Sequence, residues 1–380
     1  MNKRIEPVDG LRTFAVLGVM WAHVWMFFGN PAWKFGPVDA NRLISVIGNG
    51  VDLFFVISGF CMFVMYQKKS KQFNGPIYKD FIARRFKRIA PAFYLLIVVE
   101  CLVYFFRVGI FPFKTAAFHV LFINIFLPGN NFSPHYWSLS TEWQFYIILP
   151  FLFYTVGGQK NISFRVFLLV LVTMSFRLFL FHQHQQDLLT GITVESPAIW
   201  YRFIEFGTGI VAGKLYLENY KLPTFLRGWQ GFLLSFAIAY LGRIFIVTEF
   251  VARFKQYAFI VRAFGEPLMT FGFGLMLYGL ITSDSIFRKL ICARPILFIG
   301  KISYSMYLWH WLISVAISNG VLVHIGAGIP AFYLAFALSV LILIPVSWLS
   351  YRLFEAPYFK KGQHVPLRVS ALAVTTEESI

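Results

Sequence analysis

Ten apolar stretches follow one another along the chain, and each is long enough to cross the roughly 30 Å hydrocarbon core of a bilayer. They fall near residues 11–29, 43–66, 91–109, 142–158, 164–182, 198–217, 229–248, 257–281, 295–320 and 331–354. A segment that spans lipid must satisfy its backbone hydrogen bonds internally, so each stretch is expected to be an α-helix. The sequence therefore predicts an all-α integral membrane protein of about ten transmembrane helices.

The composition agrees with this interpretation. Of the 380 residues, 58% are hydrophobic and only 13% are charged, whereas about a quarter of the residues in soluble domains are charged. The three cysteines lie in or beside apolar stretches without metal-ligand spacing, so we expect neither a disulfide framework nor a metal site.

The first stretch is too long and too aromatic for a signal peptide and is expected to be a retained span. Residues 115–127 are too short to cross, which predicts an interfacial or re-entrant segment.

The distribution of lysine and arginine predicts the orientation of these helices. With the N-terminus in the cytoplasm, the cytoplasmic segments hold 22 Lys and Arg residues and the outer loops hold 5, which is the bias that membrane proteins show. Both termini are therefore expected in the cytoplasm, with the loop at residues 130–136 outside. This asymmetry accounts for most of the net charge of +17 without a nucleic-acid partner. We predict a membrane domain over residues 1–358 and a disordered cytoplasmic tail over residues 359–380.

The first apolar stretch contains two polar residues, Arg12 and His23, that lipid would normally exclude. Eleven helical steps of about 100° bring both side chains to one face, roughly 16 Å apart along the axis. Ionisable residues at this depth usually face a bundle interior or a water-filled cavity. A snorkelling arginine and a hydrogen-bonded core histidine are an equally weighted alternative.

A basic amphipathic segment, residues 78–91, precedes the third stretch. Arg84, Arg85 and Arg88 lie among apolar residues that recur at the helical period. An interfacial helix on anionic lipid explains this pattern. A clamp for a phosphorylated ligand also explains it, because arginine binds phosphate bidentately. The segment alone favours the lipid interpretation.

Glu142 follows the sequence Trp137-Ser-Leu-Ser-Thr and leads into the fourth stretch. If Ser140 or Thr141 caps the helix, Glu142 lies in its first turn, where a carboxylate is favourable. The alternative is a functional carboxylate at the outer membrane boundary that orients or deprotonates a partner.

Charged residues also recur in the outer halves of the fifth to eighth stretches, namely Arg177, Arg202, Glu205, Arg243, Arg262 and Glu266. Arg202 and Glu205 are three residues apart, and Arg262 and Glu266 are four apart, so each couple can pair within its helix. Pairing explains each couple separately. All six on one side of the membrane favour a polar outer cavity of the kind that a sugar would need.

The ninth stretch carries a second intramembrane histidine. Ser303, Tyr307 and His310 share one helical face, while Lys301 is shallow. A single intramembrane histidine is more often structural than catalytic. Because His23 lies on another helix, the structural and functional interpretations of the two histidines are evenly balanced.

Six motifs occur in an order and at spacings that resemble the integral-membrane acyltransferase 3 family, the O-acyltransferases that modify bacterial surface sugars. The resemblance covers nearly the whole chain. The motifs are Val8-Asp-Gly-Leu-Arg12, the spacing from Arg12 to His23, Gly50-Val-Asp-Leu-Phe-Phe-Val-Ile-Ser-Gly59, Phe81-Ile-Ala-Arg-Arg-Phe-Lys-Arg-Ile-Ala-Pro91, Trp137-Ser-Leu-Ser-Thr-Glu142 with Gln144-Phe-Tyr146, and Ile302-Ser-Tyr-Ser-Met-Tyr-Leu-Trp-His310.

The resemblance implies a ten-helix plan, an acyl-donor site that includes Arg12 and His23, and a role for Glu142 in activity. Some members of the family carry an SGNH esterase-like domain after the last helix. This chain stops about 26 residues after its last predicted span, so we expect it to act without such a domain or with a partner.

The residues favour a two-sided geometry, and the resemblance implies the chemistry in the following hypothesis for the mechanism. The co-substrate is an acyl-CoA, acetyl-CoA in the first instance, bound from the cytoplasm, with no permanently bound cofactor or metal ion. His23 acts as general base on a hydroxyl of a saccharide, including a lipid-linked one, or takes the acyl group itself, and Glu142 orients the imidazole or the acceptor. The residues expected to hold acyl-CoA are Arg12, Arg84, Arg85, Arg88 and Lys301. The residues expected to line or support the acceptor cavity are Asp52, Trp137, Ser138, Arg202, Arg262, Glu266, Tyr307 and His310.

Two alternatives stay open at this point. Some family members acylate small molecules such as macrolides. A transporter or flippase would also show ten spans, buried charges and an outer cavity, but it would not need an arginine cluster in line with a histidine. No matched pair of Gly/Pro-interrupted segments marks the two halves as transporter repeats. In each case we expect a multi-pass protein of the bacterial inner (cytoplasmic) membrane.

Overall fold

The computed structural model describes residues 5–35, 38–67, 75–126, 131–154, 162–190 and 196–360, so the predicted tail lies outside the described residues from residue 361 onward. The helices are α1 (Glu6–Phe27), α2 (Ala40–Ile44), α3 (Gly50–Gln67), α4 (Gly75–Val108), α5 (Phe113–Val120), α6 (Trp137–Tyr154), α7 (Ile162–Gln183), α8 (Gln185–Thr190), α9 (Ile199–Leu217), α10 (Gly228–Ile244), α11 (Thr248–Val251), α12 (Ala258–Thr282), α13 (Ile286–Ile291), α14 (Arg294–His324), α15 (Ile329–Ser350) and α16 (Ala356–Lys360). Short 3₁₀ turns, a π-helical turn at Tyr351–Glu355 and a two-stranded antiparallel ribbon, β1 (Lys34–Phe35) and β2 (Val38–Asp39), complete the described elements.

The predicted class, an α-helical multi-pass membrane protein, is confirmed. Within the described ranges, seven helical segments are long and apolar enough to span a bilayer, at Glu6–Phe27, Ser45–Met65, Tyr78–Val108, Ile162–Gln183, Ala252–Thr282, Arg294–His324 and Ile329–Tyr358. The other three predicted stretches coincide with α6, α9 and α10, which are 17 to 19 residues long. A count of ten crossings and the side of each terminus stay predictions. Helix α5 has only eight residues, consistent with a segment too short to cross.

The basic segment at residues 78–91 is not a separate interfacial helix. It forms the first half of α4, a 34-residue helix that continues through Pro91 into the third apolar stretch. Phe81, Arg85 and Ile89 on one face are buried, whereas Arg84 on the next face is exposed. The amphipathic pattern therefore directs one side of the segment into the protein.

Glycines permit the close helix contacts that frame the interior. A Cβ atom on Gly59 of α3 would overlap the carbonyl oxygen of Phe206 on α9, and one on Gly300 of α14 would overlap the carbonyl oxygen of Asp9 on α1. Small residues let helix backbones approach in this way inside membranes. The contact at Gly300 fixes α1 against α14, and these two helices carry Arg12, His23, Tyr307 and His310.

Candidate active site

A cavity of about 210 Å³ lies between α1, α3, α4, α6 and α14. Four charged side chains line it: Arg12 from α1, Arg85 and Arg88 from α4, and Glu142 from α6. The other polar groups on its wall are Ser58, Cys61, Ser138, Tyr146, Ser303, Tyr304 and Tyr307. Residues that are far apart in the sequence therefore meet in one space with three cationic groups and one carboxyl group.

The arginines lie where α1 and α4 begin and α3 ends, which we call the basic end of the cavity. Arg12 forms an ion pair with Asp9 at 3.1 Å, and its Nη2 lies 3.8 Å from Sγ of Cys61. The Nη2 of Arg85 lies 3.1 Å from Sδ of Met65, and its guanidinium carbon lies 5.6 Å from the ring centre of Tyr146. These contacts hold the guanidinium groups of Arg12 and Arg85 at the basic end of the cavity.

Glu142 lies deeper in the cavity, and two hydroxyl groups hold its carboxylate. Oε1 accepts a hydrogen bond of 3.1 Å from Ser58 Oγ and another from the hydroxyl of Tyr146, one helical turn further along α6. The prediction that Ser140 or Thr141 caps this helix is wrong. Helix α6 begins at Trp137, directly after a 3₁₀ turn at Pro134–Tyr136, so Glu142 lies beyond the first turn. Its side chain is therefore free of a capping role.

Tyr307 and Ser138 form the wall at the other end of the cavity. Their hydroxyl oxygens lie 2.6 Å apart, and both approach the carbonyl oxygen of His135, at 2.9 Å for Tyr307 and 3.1 Å for Ser138. The ring centre of Tyr307 also lies 5.4 Å from that of His310. One face of this wall therefore meets the cavity, and the other meets a cluster of histidines.

Three histidines from three elements meet behind that wall. Nδ1 of His23 lies 3.0 Å from Nε2 of His310, and Nδ1 of His310 lies 2.5 Å from the carbonyl oxygen of Tyr307. The ring centre of His135 lies 4.5 Å from that of His310. His23 is half-buried, whereas His135 and His310 are buried. Among the described residues, no group of three or more His, Cys, Asp or Glu side chains could hold a metal ion.

His135 is a site residue that the sequence patterns did not reveal. It lies in the 3₁₀ turn before α6, in a loop that gives no periodic signal. Burial lowers the pKa of His135 well below its usual value, and the neighbouring His310 and His23 lower this pKa further. The loop is held by Glu100, whose Oε1 accepts hydrogen bonds from Ser133 and Tyr136 at 2.6 Å and 3.1 Å. Glu100 is the only acidic residue in the third apolar stretch, which was a signal for this contact.

Comparison with known proteins identifies the family. The family model of the acyltransferase 3 proteins, described as an acyltransferase domain, matches residues 5–352. The chain belongs to the acyltransferase 3 family. Relatives named O-acetyltransferase OatA, from Staphylococcus aureus strains NCTC 8325 and COL, are each 25% identical over 397 aligned residues. The alignments cover 94% of this chain but 58% of the relatives, so the chain spans little more than half of their length. No solved structure gives a significant match.

Five residues of this acyltransferase 3 protein were predicted to bind acyl-CoA, and they fall into two groups. Arg12, Arg85 and Arg88 line the cavity. Arg84 lies on the outer face of α4, where it forms an ion pair with Asp80. Lys301 lies 5.3 Å from the ring centre of Tyr351 and is exposed. The structure therefore brings three of the five side chains together.

The buried charged side chains of this protein form a network of ion pairs. Both predicted intrahelical pairs are present, Arg202 with Glu205 at 3.4 Å and Arg262 with Glu266 at 2.6 Å. Asp52 also pairs with Arg202 at 3.1 Å, and the guanidinium of Arg202 lies 5.0 Å from the ring centre of Trp137. Arg177 pairs with Glu266 across helices.

This network lies apart from the cavity. In the part of the chain that the structure describes, Asp52, Trp137, Arg202, Arg262 and Glu266 are absent from the lining of the cavity. Tyr307 and Ser138 line it, and His310 lies directly behind it. A second cavity of about 660 Å³ lies at the ends of α9, α10 and α12, and none of the predicted site residues lines it. Of the predicted acceptor residues, two therefore line this cavity, and the role of the ion-paired residues at an acceptor site stays a prediction.

Proposed function

We propose that this acyltransferase 3 protein transfers an acyl group, acetyl in the first instance, from cytoplasmic acyl-CoA to a hydroxyl of a cell-surface or exported saccharide. The observation that carries the proposal is the order in which the basic, aromatic and histidine side chains follow one another. Arg12, Arg85 and Arg88 stand at one end of the cavity, Tyr307 at the other, and the pair of His23 and His310 directly behind Tyr307. The name of the relatives, O-acetyltransferase, agrees with the transfer of acetyl to oxygen.

The basic end of the cavity suits the phosphates of coenzyme A. Guanidinium groups bind phosphate oxygens through two parallel hydrogen bonds, and three of them converge here. Apolar side chains, among them Val51, Phe54 and Leu139, also line the cavity and suit a thin, flexible arm. Glu142 accepts hydrogen bonds and therefore fits the amide N–H groups of that arm. We assign Glu142 to donor binding, because its described partners are Ser58 and Tyr146 rather than His23.

The chemistry is proposed to take place at His23. Its neutral imidazole takes the proton of the acceptor hydroxyl while the oxygen attacks the thioester carbonyl. The C–S bond breaks, and the imidazolium returns the proton to the leaving thiolate, which gives an ester and free coenzyme A. An acyl-histidine intermediate gives the same products in two steps. In either route the thioester reaches His23 past Tyr307, which forms the wall between the cavity and the histidines.

The orientation follows from the predicted distribution of positive charge. The basic end of the cavity would face the cytoplasm, where acyl-CoA is made, and the histidine cluster would face the outer side. We place the protein in the bacterial inner membrane, with residues 1–358 as the membrane acyltransferase domain and residues 359–380 as a cytoplasmic tail. Donor and acceptor would then approach from opposite sides of the bilayer.

The test uses the protein in lipid nanodiscs with radiolabelled acetyl-CoA and saccharide from the surface of the source cell. Replacing Arg85 and Arg88 by Gln should raise the KM for acetyl-CoA by at least about tenfold per residue, because a lost charge-assisted contact costs about 1.5–3 kcal/mol. Arg84→Gln is the matched control, since Arg84 neighbours Arg85 but lies outside the cavity. Its KM should be unchanged.

Two outcomes would contradict the proposal. If the double variant keeps the KM of the unmodified protein, the arginines do not bind the donor. If acetyl-CoA is neither hydrolysed nor consumed in the presence of any saccharide fraction, while the protein moves saccharide across the bilayer of a vesicle, the protein is a transporter.

A further inference from the structure

The two intramembrane histidines are linked in a chain of hydrogen bonds that ends on the backbone. Nδ1 of His310 lies 2.5 Å from the carbonyl oxygen of Tyr307, one helical turn earlier on α14. Nε2 of the same ring lies 3.0 Å from Nδ1 of His23 on α1. The two helices that carry these rings, α1 and α14, also pack closely against each other at Gly300.

The backbone end of the chain determines where the protons lie. A carbonyl oxygen only accepts hydrogen bonds, so Nδ1 of His310 carries a proton. His310 is fully buried, with the rings of Tyr307 and His135 against it. A buried imidazolium is costly without a carboxylate partner, which favours the neutral ring. Neutral His310 then has a bare Nε2.

The bare Nε2 of His310 needs a donor, and Nδ1 of His23 is the group that faces it. His23 therefore carries its proton on Nδ1, and its Nε2 keeps the lone pair. In a neutral histidine, the hydrogen bond made by one ring nitrogen fixes the state of the other. The opposite ring orientation of His310 would place carbon atoms against both partners and lose both hydrogen bonds.

We propose that His310 is a positioning residue that fixes His23 in the Nδ1–H tautomer, so that Nε2 of His23 is the basic and nucleophilic atom. The catalytic consequence rests on the proposed function, but the tautomer itself does not. His310 takes no part in bond formation. It acts through His23, as the backbone carbonyl of Tyr307 acts through His310.

The direct test is solid-state NMR of the protein in lipid bilayers with ¹⁵N-labelled histidine. His23→Gln removes one pair of resonances and so identifies those of His23. In the unmodified protein at neutral pH, His23 should show a protonated Nδ1 and a bare Nε2. A protonated Nε2 on His23 would overturn the proposal, whether or not acyl transfer is detected. Acyl transfer that fails while the Nδ1–H tautomer is observed would instead refute the proposed function.

Two variants of His310 separate positioning from packing. A glutamine side chain can place its amide oxygen near the former Nε2, so His310→Gln should keep the His23 tautomer and most of the activity. His310→Ala removes the acceptor, so His23 should show both tautomers. In that variant kcat should fall by about 10-fold to 10⁴-fold, with an unchanged KM for acetyl-CoA. Equal loss in both variants, with His23 in the Nδ1–H tautomer in each, would show that His310 only fills space.

Discussion

His23 is the residue at which donor and acceptor meet in the proposed mechanism, although it does not line the cavity. It is half-buried, with His310 on one side and the ring centre of Trp311 at 5.0 Å on another. This placement leaves Nε2 as the ring nitrogen available to a hydroxyl from the outer half of the protein. The donor would have to reach the same atom from the cavity past Tyr307.

Replacement of His23 by Gln should remove acyl transfer while donor binding is kept. Gln preserves volume and hydrogen bonding but is not a base, so the rate of transfer should fall by about 10²–10⁴-fold. The measurement is transfer of radiolabelled acetyl together with the Kd of coenzyme A in nanodiscs. His324→Gln, at the exposed end of α14, is the control and should have no effect. Near-normal transfer by the His23 variant would mean that His23 is a packing residue.

His135 makes the stability of the protein depend on pH. Burial and the neighbouring His310 and His23 lower its pKa in the folded state, whereas in the unfolded chain the pKa is about 6.5. Below about pH 6.5 the unfolded state therefore binds a proton that the folded state excludes, and stability falls as the pH falls. We expect a lower unfolding midpoint at about pH 5.5 than at about pH 7.5. His135→Asn should reduce this difference, and an undiminished difference would assign it to other groups.

At the residue scale, the sequence predicted which side chains are polar at membrane depth but not how they are grouped. Helical periodicity determines the face of its helix on which each arginine lies, but it does not determine which helices are neighbours. Arg12, Arg85 and Arg88 line one cavity, whereas Arg84 and Lys301, which were predicted to join them, do not line it in the part of the chain that the structure describes. The contact between His23 and His310 could not be predicted, because it depends on the register of α1 against α14. His135 could not be predicted either, because a loop that folds inward has no periodic signature.

Among the elements, α7 and α12 are joined by buried charges that were predicted to line a sugar cavity. The carboxylate of Glu266 pairs with Arg262 on its own helix and with Arg177 on α7. All three side chains are at least nine-tenths buried. Spacing along one helix predicted the pair of Arg262 and Glu266, but it contains no information about α7. The pairs of Glu266 therefore connect α12 to α7, and a role of these side chains in binding a sugar stays a prediction.

Replacement of Glu266 by Ala should loosen this part of the helix bundle. Arg177 and Arg262 would lose that carboxylate while they stay buried, which typically costs about 3–5 kcal/mol. Unfolding by SDS titration in mixed micelles measures the loss. Asp284→Ala is the control, because Asp284 pairs with Arg288 on the surface, where ion pairs contribute little. Similar losses in the two variants would mean that the buried network does not stabilise the packing of these helices.

Over the whole molecule, hydrophobicity located the helices well, because each apolar stretch must form a helix in lipid. Helix α4 is an exception. A fall in hydropathy before Pro91 divided one 34-residue helix into a basic segment and a span, although the backbone is continuous. Polar residues in the sequence indicate where the lipid ends. The helix itself continues for as long as its backbone hydrogen bonds continue. The same difference explains why α14 is 31 residues long, longer than the predicted stretch at residues 295–320.

The proposed orientation places the basic end of the cavity in the cytoplasm and the loop before α6 outside. Two exposed positions test it, Asn131 in that loop and Asp284 between α12 and α13. Helix α13 packs against the start of α1 at Gly10, at the end of the bundle where Arg12 lies. The excess of lysine and arginine predicts that this end is cytoplasmic.

Single cysteines at these positions, in a protein whose Cys61, Cys101 and Cys292 have been replaced, should react differently with a membrane-impermeant maleimide. Asn131→Cys should be labelled in intact cells, and Asp284→Cys only after the cells are opened. Because the two positions lie at opposite ends of the bundle, they serve as controls for each other. Labelling of Asp284→Cys alone in intact cells would place the arginines outside, where no acyl-CoA is available to them, and the proposed donor site would then be wrong.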